Sequence, residues 1–274
     1  MARPASGNNQ TSNQNSISYA LKEWYASLPP VTRVVLTAII GTTFAAGLGV
    51  VPYHHLFLYW PYVYQKFHIW RLVTTFLVDR ISLALVFNMI FFYRDSSDLE
   101  TRVFAGRKAD YTWFLMLSMA MTLSVSWITN TVMLSDSLLL SVVMLWSLYH
   151  REQIVSFIFG FRFPAMYLPY VLIATDWLIH GGILPYAMVY GAMAGRAYYY
   201  LATELPAQGG LDYIRTPQIL YRLLGETPSS GRGTMRSASG ATDYRTRYTS
   251  SGARAAPVNR TPGSGHNWGT GRRL

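Results

Sequence analysis

The chain has 274 residues, 51% of them hydrophobic and 13% charged, with a formal net charge of +10. It has no cysteine, which excludes disulfide frameworks, thiolate metal sites and cysteine nucleophiles. Most of the positive excess falls in a tail where single arginines alternate with Gly, Ser and Thr, so it reads mainly as a topology signal and not as a nucleic-acid surface.

Apolar residues concentrate between 31 and 205, which predicts an all-α polytopic membrane protein with polar ends. The opening stretch MARPASGNNQTSNQNS lacks the basic-then-apolar order of a cleaved signal peptide, so insertion is expected to begin at the first internal span. Ile17, Leu21, Trp24 and Leu28 recur at helical spacing before Pro29-Pro30, predicting a short interfacial helix that completes a segment 1–30.

Val31 to Val51 is the first predicted span, with Gly41, Ala45 and Gly49 along one small-residue stripe. From Pro52 to Asp79, Trp60, Tyr62, Tyr64, Phe67 and Trp70 mix with His54, His55, Lys66 and His68, a texture expected at a membrane interface. The second span begins at Leu72 or at Ile81, two alternatives the pattern leaves open, and ends at Tyr93 before a charged run from Arg94. Tyr111–Thr129 and Ser137–Tyr149 form one hairpin, and Pro164–His180 and Ile183–Thr203 a second, joined by Gly181-Gly182. The fourth span, of about thirteen residues, covers only about 20 Å and demands either a thinned bilayer or burial.

Six spans divide the basic residues. Arg94, Arg102, Arg107, Lys108, Arg151, Arg162 and the ten tail arginines share one side, against Lys66, Arg71 and Arg80 on the other. The positive-inside rule then places both termini in the cytosol. Thr216-Pro217 reads as an N-cap followed by proline at the first helical position, opening a juxtamembrane amphipathic segment within 206–225. From 226 to 274 the sequence carries too little apolar surface to offset the entropy of ordering, which predicts a flexible tail.

In chain order, EWYASLPPVTR at 23–33, Trp70-Arg71, LVFNMIFFYRDSSDLETRVFAGRKADY at 85–111, IVSFIFGFRFPAMYLPYVL at 154–172, Gly191 with Gly195, and TPQILYRLL at 216–224 together resemble the derlin family. The resemblance implies a rhomboid-like bundle of six transmembrane helices over 31–205. In it Trp70 and Arg71 sit in the large loop after the first span, and Gly191 and Gly195 pack the last helix. It further implies an endoplasmic reticulum membrane protein that binds misfolded membrane or lumenal clients, works with a ubiquitin-ligase membrane complex, and uses no cofactor. Oligomerisation with itself or with relatives stays open. Read from the residues alone, Gly191 and Gly195 permit close helix approach, and Trp70 and Arg71 serve as an interface anchor with a snorkelling guanidinium.

An active rhomboid protease needs a serine in a Gly-x-Ser-Gly setting and a histidine three residues before the first glycine of the last-helix pair. Here Ser141 sits in Leu139-Leu140-Ser141-Val142, and Met188 stands three before Gly191. The expectation is a pseudoprotease. One alternative is an intramembrane serine protease built on Ser141 with an unrecognised base; His180, beside Gly181-Gly182 at the end of a span, reads as a solvated or capping histidine. The other is a transporter whose polar path uses Arg196 and Asp176. At the end of the chain, Trp268, Gly269, Gly271, Arg272 and Leu274 resemble an SHP box, which implies binding of the valosin-containing AAA ATPase. Trp268 and Leu274 would fill pockets, the glycines would let the backbone lie extended, and Arg272 would steer toward acidic surface.

Overall fold

In the computed structural model, which describes residues 19–20, 22–156, 160, 162–208 and 214–226, the first long helix, α1 (Pro30–Gly47), starts at the proline pair. Proline suits a first helical turn because its missing N–H would have no intrahelical partner there. Thr32, Leu36, Ile39, Thr43 and Ala46 recur at three- and four-residue spacing and face inward, while Val34, Ile40, Phe44 and Leu48 face out. The helix stops four residues short of the predicted Val51, because the chain turns at Gly49 with φ +75°.

The aromatic stretch that follows folds as three short helices, α2 (Tyr53–Leu56), α3 (Trp60–Lys66) and α4 (Arg71–Leu77). The uncertain start of the second span is thereby resolved. Helix α4 is a separate element, and α5 (Leu83–Asp98) opens at Ser82, whose hydroxyl accepts the Leu85 N–H at 3.3 Å. Helix α5 runs into a π-helical turn, Leu99–Val103, which inserts an extra residue per turn and rotates the following side chains.

Next come α6 (Lys108–Thr129), closed by left-handed Asn130, and α7 (Ser135–Tyr149), the central helix. Helix α7 packs against α4, α5 and α6 and against the two helices that follow, α8 (Leu168–Ile179) and α9 (Tyr186–Tyr199). A three-residue antiparallel ladder, β1 (Ile154–Ser156) with β2 (Arg162–Pro164), links α7 to a 3-10 turn over Ala165–Tyr167. Gly181 and Gly182, both at positive φ, make the tight turn between α8 and α9. Helix α9 extends through a second π turn, Tyr200–Glu204, into α10 (Leu205–Ala207), and α11 (Gln218–Leu223) follows.

Six helices therefore stand where six spans were predicted. Two of them, α1 and α6, are long and apolar enough to cross a bilayer by length and composition alone. Helix α7 meets the demand of its short length by burial, since nearly all its side chains are shielded by protein. The short helix that presents apolar surface outward is α8, with Tyr170, Trp177, Leu178 and Ile179 exposed. Its 12 residues rise only about 18 Å.

Candidate functional site

The glycine pair brings α9 close against the backbone of α7. A Cβ placed on Gly191 would lie 2.1 Å from the carbonyl oxygen of Ser137, and one on Gly195 would lie 2.6 Å from that of Ser141. Both contacts are to backbone, so neither can be relieved by turning a side chain. The pair on α9 thus fits against a matching pair of small residues on α7, also four apart. By contrast Gly41 of the predicted α1 stripe is exposed and meets nothing within 4 Å.

This contact fixes the register of α7 against α9. With Gly191 on Ser137 and Gly195 on Ser141, Met188 falls one helical turn earlier, level with Leu134, a buried leucine. Ser141 lies two turns further along α7, wholly buried, its hydroxyl donating to the Leu138 carbonyl at 2.8 Å. Ser137 and Ser147 likewise donate to their own helix, at 2.6 and 2.8 Å. Among the described residues no histidine hydrogen-bonds any of these serines. His180 is exposed and sits 3.2 Å from Asp176 at the end of α8.

Trp70 and Arg71 divide their tasks. Trp70 is exposed and stacks on His68 with ring centroids 4.4 Å apart. Arg71 does not snorkel as the residue pattern alone suggested: it is only 2% exposed. Its guanidinium donates to the Phe57 carbonyl at 2.7 Å and to His68 Nδ1 at 3.3 Å, and lies over the Tyr62 ring. One cation thereby ties α2, α3 and α4 into a single loop unit, which a fork of fixed donors does better than a point charge.

At the opposite, basic end of the bundle lies a buried polar chain that sequence reasoning missed. Glu100, in the first π turn, accepts the Val31 N–H at 3.0 Å and the Thr32 N–H at 2.8 Å. The Arg33 N–H already bonds the Pro29 carbonyl, and Pro30 has no N–H, so Glu100 completes the first turn of α1. The Thr32 hydroxyl also donates to Glu100, and Ser96 and Tyr111 continue the line at 2.8 and 2.5 Å. Because Thr32 spends its proton on Glu100, Ser96 must donate to Thr32 and Tyr111 to Ser96. Replacing Glu100 by alanine strands two N–H groups and a hydroxyl away from water, at an expected cost of about 2–4 kcal/mol. Thermal unfolding in detergent should show Glu100→Ala melting well below the parent and Glu100→Gln between them; equal melting of Glu100→Ala and parent would sink this account.

Two further carboxylates organise the same end. Asp98 sits 2.9 Å from the Trp146 Nε1–H and 3.1 Å from His150 Nε2, joining the ends of α5 and α7. Arg196, the intramembrane charge of the transporter reading, reaches Glu204 at 3.4 Å, beside Arg151 at 3.7 Å. Asp176 belongs to the far end of the α8–α9 hairpin, so each member of that pair has its own separate partner.

At the loop end a narrow cavity of about 10 Å³, room for about one water, lies between α1, α4, α5 and α7, lined by Asp79, Asn88, Phe92 and Asp136 among others. Asn88 donates to Asp136 at 3.3 Å. Burial lifts the Asp79 carboxyl above its ordinary range, against the opposing hydrogen bond from the Arg80 N–H and the Arg80 charge. Among the described residues no group of three or more His, Cys, Asp or Glu is placed to hold a metal ion. Trp268, Gly269, Gly271, Arg272 and Leu274 lie outside the described residues.

The tightly packed bundle, with outward apolar faces and charges gathered at its two ends, defines a polytopic helical membrane protein. The Der1-like family model matches residues 28–218. The chain is 33% identical to human Derlin-1 over 258 residues, covering 92% of this chain and 97% of that protein. It is 34% identical to Drosophila melanogaster Derlin-1, covering 77% and 86%. It is 33% identical to the probable derlin-2 homolog of Dictyostelium discoideum, covering 74% and 82%. The chain belongs to the Der1-like family.

Proposed function

We propose that the chain is a non-catalytic, rhomboid-like factor of the endoplasmic reticulum membrane that serves the retrotranslocation of misfolded proteins for ubiquitin-dependent degradation. The observation that carries this reading is the match to derlins across nearly the whole chain. The proposed organisation is a membrane domain over 31–205 with Trp70, Arg71, Gly191 and Gly195 as its shape-holding residues. A juxtamembrane segment over 206–225 and a cytosolic tail ending in an ATPase-binding motif follow, and the N-terminal segment also faces the cytosol.

The packing supports a fold kept without protease chemistry. Where a rhomboid base would stand there is Met188, level with Leu134, and Ser141 spends its proton on its own helix. A shape without a nucleophile can still act on the bilayer. The short, outward-facing α8 would draw the membrane thin beside it, lowering the cost of moving polar client segments across. The ATPase would supply the work.

The test combines chemistry and turnover. In cells depleted of their own derlins, the chain and its Ser141→Ala variant should restore degradation of a misfolded membrane client equally. The purified chain should take up no serine-reactive fluorophosphonate. Labelling that disappears in Ser141→Ala, together with loss of rescue, would establish the protease alternative instead.

A further inference from the structure

Beyond this reading, the segment after the last span has a geometry of its own. Two carboxylates pin it to the first turn of α6. Glu226 accepts the Lys108 N–H at 3.0 Å and the Ala109 N–H at 3.1 Å, capping a helix whose own N-cap residue, Arg107, has no side-chain cap bond. Asp110 in turn accepts the Thr216 hydroxyl at 2.7 Å and the Tyr221 hydroxyl at 2.5 Å, while pairing with Arg107 at 2.9 Å. Thr216 therefore does not cap its own helix as the sequence suggested. Its hydroxyl goes to the charged acceptor across the gap, and Pro217 occupies the N-cap position with no side-chain cap bond.

Pinned this way, α11 shows three faces. Leu220, Tyr221 and Leu224 are half-buried toward the bundle. Ile219 and Leu223, four residues apart, are 77% and 79% exposed. Gln218 and Arg222 are exposed on the third side, with Arg215 exposed just before the helix. Such a short helix would not hold its shape alone in water, so the hydrogen bonds to α6 supply the order that membrane binding would otherwise cost. Those bonds go to residues 108–110, the first turn of a helix long and apolar enough to cross a bilayer, so α11 is held beside the end of that helix.

We infer that residues 215–226 form a preorganised interfacial anchor, in which Ile219 and Leu223 enter the acyl boundary and Arg215 and Arg222 take lipid phosphates. The occupant is the bilayer itself: the apolar pair is held beside the end of α6, and the flanking arginines complement anionic headgroups. Force applied to the tail would then be borne by the membrane surface and α6 before it reaches α9. The inference rests on the membrane assignment and not on ATPase recruitment.

The absence of cysteine makes the test direct. Single cysteines at 218, 219, 222 and 223 of the full chain would carry nitroxide labels in vesicles of neutral phosphatidylcholine or with phosphatidylinositol added. Labels at 219 and 223 should be shielded from an aqueous nickel relaxant and reached by oxygen, at about 5–10 Å depth, whereas those at 218 and 222 should stay in water. Thr216→Val, Tyr221→Phe and Glu226→Gln together, all outside the bundle, should erase the contrast between faces. Arg215→Gln with Arg222→Gln should abolish the deepening caused by anionic lipid. Equal water access at all four positions overturns the proposal. So does dipolar broadening at 219 and 223 that vanishes on dilution with unlabelled chain, because a second copy would then cover this face. Either result would leave ATPase capture, measured separately, untouched.

Discussion

A chain in which Trp268 and Leu274 are both replaced by alanine is expected to lose capture of the valosin-containing AAA ATPase from cell extract, while the parent retains it. Fully desolvated aromatic and aliphatic anchors each carry on the order of 2 kcal/mol at such contacts, so losing two weakens binding about a thousandfold. Arg272→Ala should do less, changing the salt dependence of capture more than its strength, because a rim charge steers encounter more than it holds the complex. Capture by the double variant at parent level would separate the terminal motif from the motor. Failure of the parent itself would leave a derlin whose link to an ATPase lies elsewhere. Neither result bears on the membrane domain, since these residues stand apart from the family-matched segment 28–218.

Adding one methyl group at Gly191 is expected to be the most damaging small change in the membrane domain. The new Cβ would sit 2.1 Å from the Ser137 carbonyl oxygen and 2.7 Å from two further backbone atoms. Only separation of α7 from α9 could relieve that overlap, and α7 also packs against α4, α5, α6 and α8. Gly191→Ala should therefore cost about 3 kcal/mol or more, at the upper end of what overpacking costs. Gly195→Ala, at 2.6 Å from the Ser141 oxygen, should cost somewhat less. Gly41→Ala is the internal control. It meets nothing within 4 Å, so it should be neutral or stabilise by up to about 1 kcal/mol through helix propensity. Thermal unfolding in one detergent compares all three. Identical melting of Gly191→Ala and Gly41→Ala would mean that the helix contact is not what the glycine is for.

The contrast between Gly41 and Gly191 shows what a sequence can and cannot display. Both lie in small-residue stripes of apolar helices, and helical spacing alone gives them the same expectation. Only the arrangement of helices decides that one meets a backbone and the other meets nothing. Arg71 teaches the same lesson in a loop. Its place among interfacial aromatics suggested a snorkelling cation, whereas the turns of α2 and α3 bring the Phe57 carbonyl and the Tyr62 ring to it and bury it. Thr216 carried a local N-cap signal, and a stronger acceptor 106 residues away claimed its hydroxyl.

Glu100 and Glu226 were legible as charges but not as caps. Capping rules read the few residues before a helix, and here the partners lie 68 and 117 residues away in the chain. A partial signal existed: Pro29-Pro30 and Arg107-Lys108 begin long helices without Ser, Thr, Asp or Asn at the cap, which leaves backbone donors that something else must satisfy.

What the sequence determined by itself was the placement of six apolar segments, with the start of the second left open. Hydrocarbon imposes a length and a polarity on every segment that enters it, and these can be read one segment at a time. The tertiary structure alone decided which helix is central, which short helix faces outward, which glycines touch a neighbour, and which carboxylates complete the first turns of α1 and α6. Each of these depends on atoms far apart in the chain arriving within a hydrogen bond's length of one another, a property of the packed bundle and not of any segment within it.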